Sequence, residues 1–190
     1  MKAIREVGIR RALRYAWSCV LLVGFRMTIW SPVRIAFLKL CGARIGRDSV
    51  VLNCSLMNVD RGGFSALRIG SRCFIGDEAL LDLAAPITLE DDVTLSARVM
   101  VLTHHNVGFK DHPLQARFPS RLAPVLVRRG SFVGAGSLIL AGTTLGPEAF
   151  VGASTLVNRD LTTGSVVGGV PARAISAGTP RPNEEEAVRP

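Results

Sequence analysis

An aliphatic residue recurs at every sixth position through much of this chain. From Val127 the steps fall on Val133, Ile139, Leu145, Val151 and Val157. Glycine follows at Gly134, Gly146 and Gly152, giving the hexads VGAGSL, LGPEAF and VGASTL. An earlier register carries Ile69-Gly70 and Ile75-Gly76, a third carries Leu89, Leu95 and Val101, and Ile45-Gly46 opens the series. A period of six is neither the 3.6 of a helix nor the simple alternation of a half-buried strand. It suits a triangular solenoid in which each flat face takes one hexad, its aliphatic side chain turned inward and a small residue at the corner. Stacked coils then bury a continuous column that no single coil could bury alone. A β-sandwich with fortuitous alternation would not hold one phase over so many steps. Composition agrees: 48% hydrophobic against 6% aromatic residues, with 19 Gly and 10 Pro, is a core of short aliphatic steps.

The period breaks in two places. The phase slips between Ile87 and Leu89, after the motif IGDEALLDLAAPITL. A larger break runs over residues 103–124, polar and turn-rich, and it holds every histidine of the chain: His104, His105 and His112. Excursions from a solenoid emerge on one face and often carry function. The expected organisation is a basic amphipathic helical arm over residues 1–41, a solenoid over 42–175, and a disordered tail over 176–190, whose composition lacks any apolar period.

Charge is concentrated in the arm. Residues 1–47 hold ten Lys or Arg against one acid, Glu6, so this segment carries +9 of a net +8 and the remainder is slightly acidic. No groove-reading motif or basic–aromatic platform accompanies the charge, which argues against nucleic acid as a partner. Ala16 to Phe25 is apolar apart from Ser18 but is bracketed by Arg14 and Arg26. That is short of the roughly 20 residues a spanning helix needs, and no signal-peptide cleavage site follows. Pro32 breaks the segment and Val33–Leu40 forms a second short amphipathic stretch. Two readings stay open: helices that cap the domain or pack on a neighbour, or an arm lying in the interface of an anionic membrane. The four cysteines show no CxxC pair or metal-ligand spacing and read as small buried hydrophobes in a reducing compartment.

These residues resemble the hexapeptide-repeat acyltransferases, whose repeat is [LIV]-G-x-x-x-x, over about Gly42 to Ile175. The resemblance implies an all-β solenoid, a left-handed parallel β-helix with an N-terminal α-helical arm and one excursion loop; the handedness is an exception to the usual crossover rule. CGARIGRDSV resembles the opening of the first coil. FIGDEALLDLAAPITL followed by a histidine-bearing loop resembles the colanic-acid and maltose-type O-acetyltransferase branch. VVGGVPARAI resembles the terminal G-x-P-A-[KR] segment that borders the coenzyme A site.

What the resemblance implies is a homotrimer with active sites in the clefts between neighbours and acetyl-CoA as co-substrate; the cysteines and the basic arm suggest a cytoplasmic protein, and adjacent His104 and His105 do not suit a metal. A loop histidine deprotonates a saccharide hydroxyl, which attacks the thioester directly. The segment Thr103-His104-His105-Asn106-Val107-Gly108 fits the family motif in two ways, one making His104 the base and the other His105; the first needs no gap. Asn106, His112, Asp82 and Glu78 are candidates for acceptor contact, the two acids falling in the coil beneath the loop. For the coenzyme the matching positions are Gly134, Ala135, Gly152 and Ala153, whose small size admits the pantetheine, then Asn158, Arg159 and Arg173. Asn158-Arg159 stands where Thr-Lys is usual, Ser154 replaces a usual glycine, and Ile175-Ser176 offers no further basic residue after Arg173. Small residues at these positions also serve simply as coil corners.

Three alternatives remain beside this reading. A γ-class carbonic anhydrase draws one zinc-ligating histidine from well upstream of the others, and none precedes His104 here. A serine-type O-acetyltransferase carries a helical domain much longer than residues 1–44. A non-enzymatic trimeric scaffold has no need of the loop histidines with Arg159 and Arg173. For the arm, the membrane reading implies an enzyme at the inner face of the cell membrane, modifying a lipid-linked or envelope glycan precursor.

Overall fold

The structure, a computed structural model, describes residues 9–175; the segment expected as a tail, 176–190, and the first eight residues of the arm lie outside them. Two helices, α1 (Ile9–Arg26) and α2 (Ser31–Leu40), precede a three-sided parallel β-helix. Its first face stacks Arg44–Ile45, Leu67–Ile69, Ile87–Leu89, Val125–Val127 and Thr144–Leu145. The second stacks Val50–Val51, Phe74–Ile75, Thr94–Leu95, Phe132–Val133, Phe150–Val151 and Val166–Gly168, with Arg173–Ala174 folding back antiparallel at its end. The third stacks Ser55–Met57, Leu80–Asp82, Met100–Val101, Leu138–Ile139 and Leu156–Val157.

Each position of the hexad has a physical task. The aliphatic first residue points inward: Val133, Ile139, Leu145, Val151 and Val157 are fully buried, each side chain of this kind stabilising the fold by about 1.5–3 kcal/mol relative to exposure. Val127 pairs with Leu145, Val133 with Val151 and Ile139 with Val157, three hexads further on in every case. The second residue lies where one corner crosses the next: a Cβ on Gly134 would stand 2.5 Å from the Ala153 nitrogen. The fourth residue turns the corner with positive φ, as at Arg72, Glu78 and Ser154, a conformation that costs an L-residue about 1–2 kcal/mol. Where the fifth is serine, as at Ser131 and Ser137, its buried hydroxyl staples two coils. Ser137 donates to the Gly152 carbonyl at 2.9 Å and accepts from the Thr155 N–H at 3.2 Å.

The phase slip lies earlier than the sequence pattern suggests. Ile87 and Leu89 share one continuous strand and both face inward. The two residues beyond the hexad count sit at the preceding corner, Leu83–Pro86, between the third and first faces. A further departure, which the hexad pattern does not reveal, is the short helix Val59–Gly62 with the turn Phe64–Ala66.

That departure seats the arm. Phe37 meets Phe25 and Phe64 with ring centroids 6.2 and 6.3 Å apart, and Phe25 and Leu38 are buried. Arg34 is buried too; its guanidinium donates to the Thr28 carbonyl and hydroxyl and lies 5.4 Å from the Phe25 ring centre. No described helix is long and apolar enough to cross a membrane.

Gly134→Ala is expected to lower stability by about 1–3 kcal/mol, the usual cost of overpacking, because the atoms its Cβ meets are backbone. A denaturant melt with an unchanged midpoint would show that the coils can separate there freely.

Candidate active site

Thr103 ends the third coil and is fully buried. Its hydroxyl donates to the Asp82 carbonyl at 2.6 Å and accepts from the Ala85 N–H at 3.0 Å. The chain returns when the Ala123 N–H donates to the Thr103 carbonyl at 2.9 Å. Between them His104–His105 pairs antiparallel with Arg121–Leu122, forming a neck below the loop. Asn106 closes that neck, its side-chain oxygen accepting from the Gly108 N–H at 3.2 Å and the Ser120 hydroxyl at 2.8 Å.

The centre of the neck is Asp82. Its carboxylate is wholly removed from solvent and accepts from Asn58 Nδ2 at 2.7 Å, the Ala84 N–H at 3.2 Å, the Thr103 N–H at 2.9 Å and His104 Nδ1 at 2.5 Å. Burial pushes this carboxyl up, but the bonds from His104, Asn58 and Thr103 outweigh it and hold the group below the usual aspartate range. Asp82 is therefore ionised at neutral pH and keeps His104 with its proton on Nδ1. The free lone pair of the neutral ring is then on Nε2, on a side chain that remains 22% exposed. It borders a cavity of about 510 Å³ lined by His104, His105, Arg117, Phe118, Arg121 and Leu140, among others. A histidine with a buried carboxylate behind it and an open cavity before it is the arrangement of a general base, the carboxylate fixing the tautomer and stabilising the cation that forms.

The expected site residues divide. Asp82 is too deeply buried to touch an acceptor and works on His104 instead. Glu78 lies at the corner between the second and third faces, away from the neck, and pairs with Arg98 at 2.6 Å on the surface. Asn106 is committed to the neck. His112 accepts from the Leu114 N–H at 3.1 Å within its own exposed turn. His105 is exposed and its ring makes no hydrogen bond among the described residues. The pattern did not point to Asn58, Arg117, Phe118, Arg121 or Leu140; a polar loop seen alone carries no sign of which residues fold back over the neck.

The coenzyme candidates fall on two edges. Asn158, Arg159, Ala172 and Arg173 surround a cavity of about 270 Å³, where Arg159 donates to the Ala172 carbonyl at 3.3 Å. This edge is the one that bears His104, two coils away, with Leu140 stacked between. Gly134, Ala135, Gly152 and Ala153 sit at the Glu78 corner, across the third face. That is about 15 Å, taking ~3.3 Å per strand residue, so one chain does not gather them with His104. Among the described residues no three His, Cys, Asp or Glu side chains are placed to hold a metal ion.

Residues 66–102 and 124–159 match the family model described as hexapeptide repeat of succinyl-transferase, and the gap between the two matches is the loop. A serine acetyltransferase of Buchnera aphidicola is 33% identical over 106 residues, 54% of this chain and 36% of that protein. The chain spans about a quarter to a little over a third of the length of the curated relatives it matches. A hexapeptide-repeat acetyltransferase of Vibrio cholerae, solved with acetyl coenzyme A, is 23% identical with 86% of each chain covered and a TM-score of 0.69. A maltose O-acetyltransferase from Clostridium difficile is 21% identical with 88% of each chain covered and a TM-score of 0.73. The fold is thus the left-handed parallel β-helix of these enzymes. Residues 66–102 and 124–159 thus carry the repeat of that family on this fold.

Nitrogen NMR of the histidines is expected to find neutral His104 protonated on Nδ1, the reverse of the tautomer free imidazole side chains prefer, and to lose that signature in Asp82→Asn. An Nε2-protonated ring in the unaltered chain would contradict the geometry.

Proposed function

We propose that this chain is an acetyl-CoA-dependent O-acetyltransferase that acetylates a saccharide hydroxyl, with His104 as general base. The observation that carries this is the buried Asp82–His104 pair aimed at the loop cavity. A hydroxyl is a poor nucleophile at neutral pH. His104 Nε2 takes its proton as the oxygen attacks the thioester carbonyl, a contribution of about 100- to 10,000-fold. The tetrahedral intermediate then expels the coenzyme thiolate, which recovers that proton from the imidazolium. Both bonds change in one ternary complex, with no acyl-enzyme.

Arg159 and Arg173 supply charge for the coenzyme phosphates. The separation of the two coenzyme groups favours a homotrimer in which the Gly134–Ala153 edge of one prism faces the His104 edge of the next. Sugar acceptors are favoured by the fold's likeness to a maltose O-acetyltransferase. The serine acetyltransferase match keeps L-serine as the second acceptor to test. Dependence on acetyl-CoA favours action in the cytoplasm, and the basic arm favours a lipid-linked or envelope glycan precursor as the acceptor class.

Release of coenzyme A from acetyl-CoA is expected with a panel of saccharides and not with L-serine. His104→Ala should lower kcat about 100- to 10,000-fold, His105→Ala far less, and Asp82→Asn by an intermediate factor with little change in KM. Equal losses from the two histidine variants would remove His104 from the role, and turnover with serine alone would replace the acceptor.

A further inference from the structure

Both tryptophans and the one tyrosine of the chain lie in the helical arm, and all three are exposed: Tyr15, Trp17 and Trp30. On α1 the exposed apolar residues Ile9, Leu13, Trp17, Val20 and Val23 fall within an arc of roughly 120° at 3.6 residues per turn, and exposed Met27 follows directly after the helix. Arg14 flanks this stripe on one side and Arg26 on the other. Ile29 and Trp30, in the turn to α2, are 92% and 69% exposed, and Leu40 at the end of α2 is 87% exposed. The opposite side of the arm is spent on the prism through Phe25, Leu38, Phe37 and the buried Arg34. A soluble surface rarely leaves so large an apolar stripe uncovered without a partner for it.

The charge decides which partner. Residues 9–47 contain no acid at all, while the arm with its flank carries +9. A second copy docking by the same face would press two such segments together. The acidic run Glu184–Glu186 brings only Ala187 and Val188 beside it, too little to fill the stripe. An anionic bilayer answers both features: headgroups take the arginines, and the aromatic rings sit at the level where one end of a side chain is wet and the other dry.

We infer that the arm is a peripheral membrane-binding device, lying in the plane of an anionic lipid surface with the Leu13–Trp17–Val20 stripe downward. It holds the first coil of the prism at the bilayer. Access to a lipid-linked saccharide would follow from this only together with the transferase reading, whereas lipid binding is read without any acetyl transfer.

The test uses the full chain with vesicles of phosphatidylcholine containing about one-third phosphatidylglycerol, beside vesicles of phosphatidylcholine alone. Because both tryptophans are in the arm, intrinsic fluorescence reports on it directly. Sedimentation with the anionic vesicles, a blue-shifted emission and weakening by salt are expected. Leu13→Ser, Trp17→Ser and Val20→Ser together, all at exposed positions, should weaken partitioning about tenfold or more without lowering the melting temperature. Absence of binding by the unaltered chain would overturn the inference. So would arm-dependent growth into larger assemblies that ignore vesicles, since a second copy would then own the stripe.

Discussion

Hydrogen-bonded coils stack about 4.8 Å apart, and at that spacing several corners, those of Gly46, Gly70, Gly76, Gly134 and Gly146, cross too closely for any side chain. The rest of the structure follows from this constraint. It requires glycine at the corners that cross most closely, as the Gly134 Cβ position 2.5 Å from the Ala153 nitrogen shows, while Leu140 and Asn158 hold side chains at the same hexad position on another edge. It makes the fifth-position hydroxyls, such as Ser131 and Ser137, bridges between successive coils. It also confines every departure from the period to a corner, because a residue added within a face would break the ladder on both sides. Val59–Ala66 leaves at such a corner and supplies the seat for the arm. Leu83–Pro86 and the long loop leave at the same corner one coil apart, and their meeting makes the candidate site.

That meeting explains why a carboxylate can be buried there. Asp82 ends its strand just before the two extra residues, which turn the Ala84 N–H back toward it, while Thr103 and His104 arrive from the coil above. A buried charge is tolerated when its lone pairs are filled, and the first coil completes the set through Asn58. Because these bonds depress the Asp82 carboxyl below its unfolded value, their contribution to stability is fully present above the ordinary aspartate range and is lost only as pH falls through the lowered value. The tie that orients His104 therefore persists throughout the neutral range. The same four contacts join three successive coils, so the site is as rigid as the solenoid beneath it.

The hexads, the excursion loop and the three-sided solenoid were legible because a first-position aliphatic has one place to go. The pairing of Asp82 with His104 was only half legible. Both residues were visible as candidates, but their contact depends on where the two additional residues fall. A slip drawn between Ile87 and Leu89 leaves Asp82 free to face an acceptor, whereas a slip at Leu83–Pro86 folds it under the histidine. Glu78, only four residues earlier, looked equivalent in sequence and belongs to another corner. The same periodicity hid the distance between the Gly134–Ala153 positions and the loop, since a hexad count gives the coil but no single chain shows which edges come to face each other. In the arm, the short apolar run Ala16–Phe25 did not reveal that Phe25 turns inward while Trp17 and Val20 turn out; Phe25 is held by Phe37 and Arg34, which lie outside the run.

The proposed chemistry turns on Asp82 holding His104 toward a bound thioester. A crystal structure of the full chain with coenzyme A tests it most directly. The coenzyme sulfur is expected beside the loop cavity, within reach of an acceptor oxygen hydrogen-bonded to His104 Nε2, with the Nδ1–Asp82 bond intact. Coenzyme bound at an edge remote from His104, or His104 swung away from Asp82 in its presence, would contradict it.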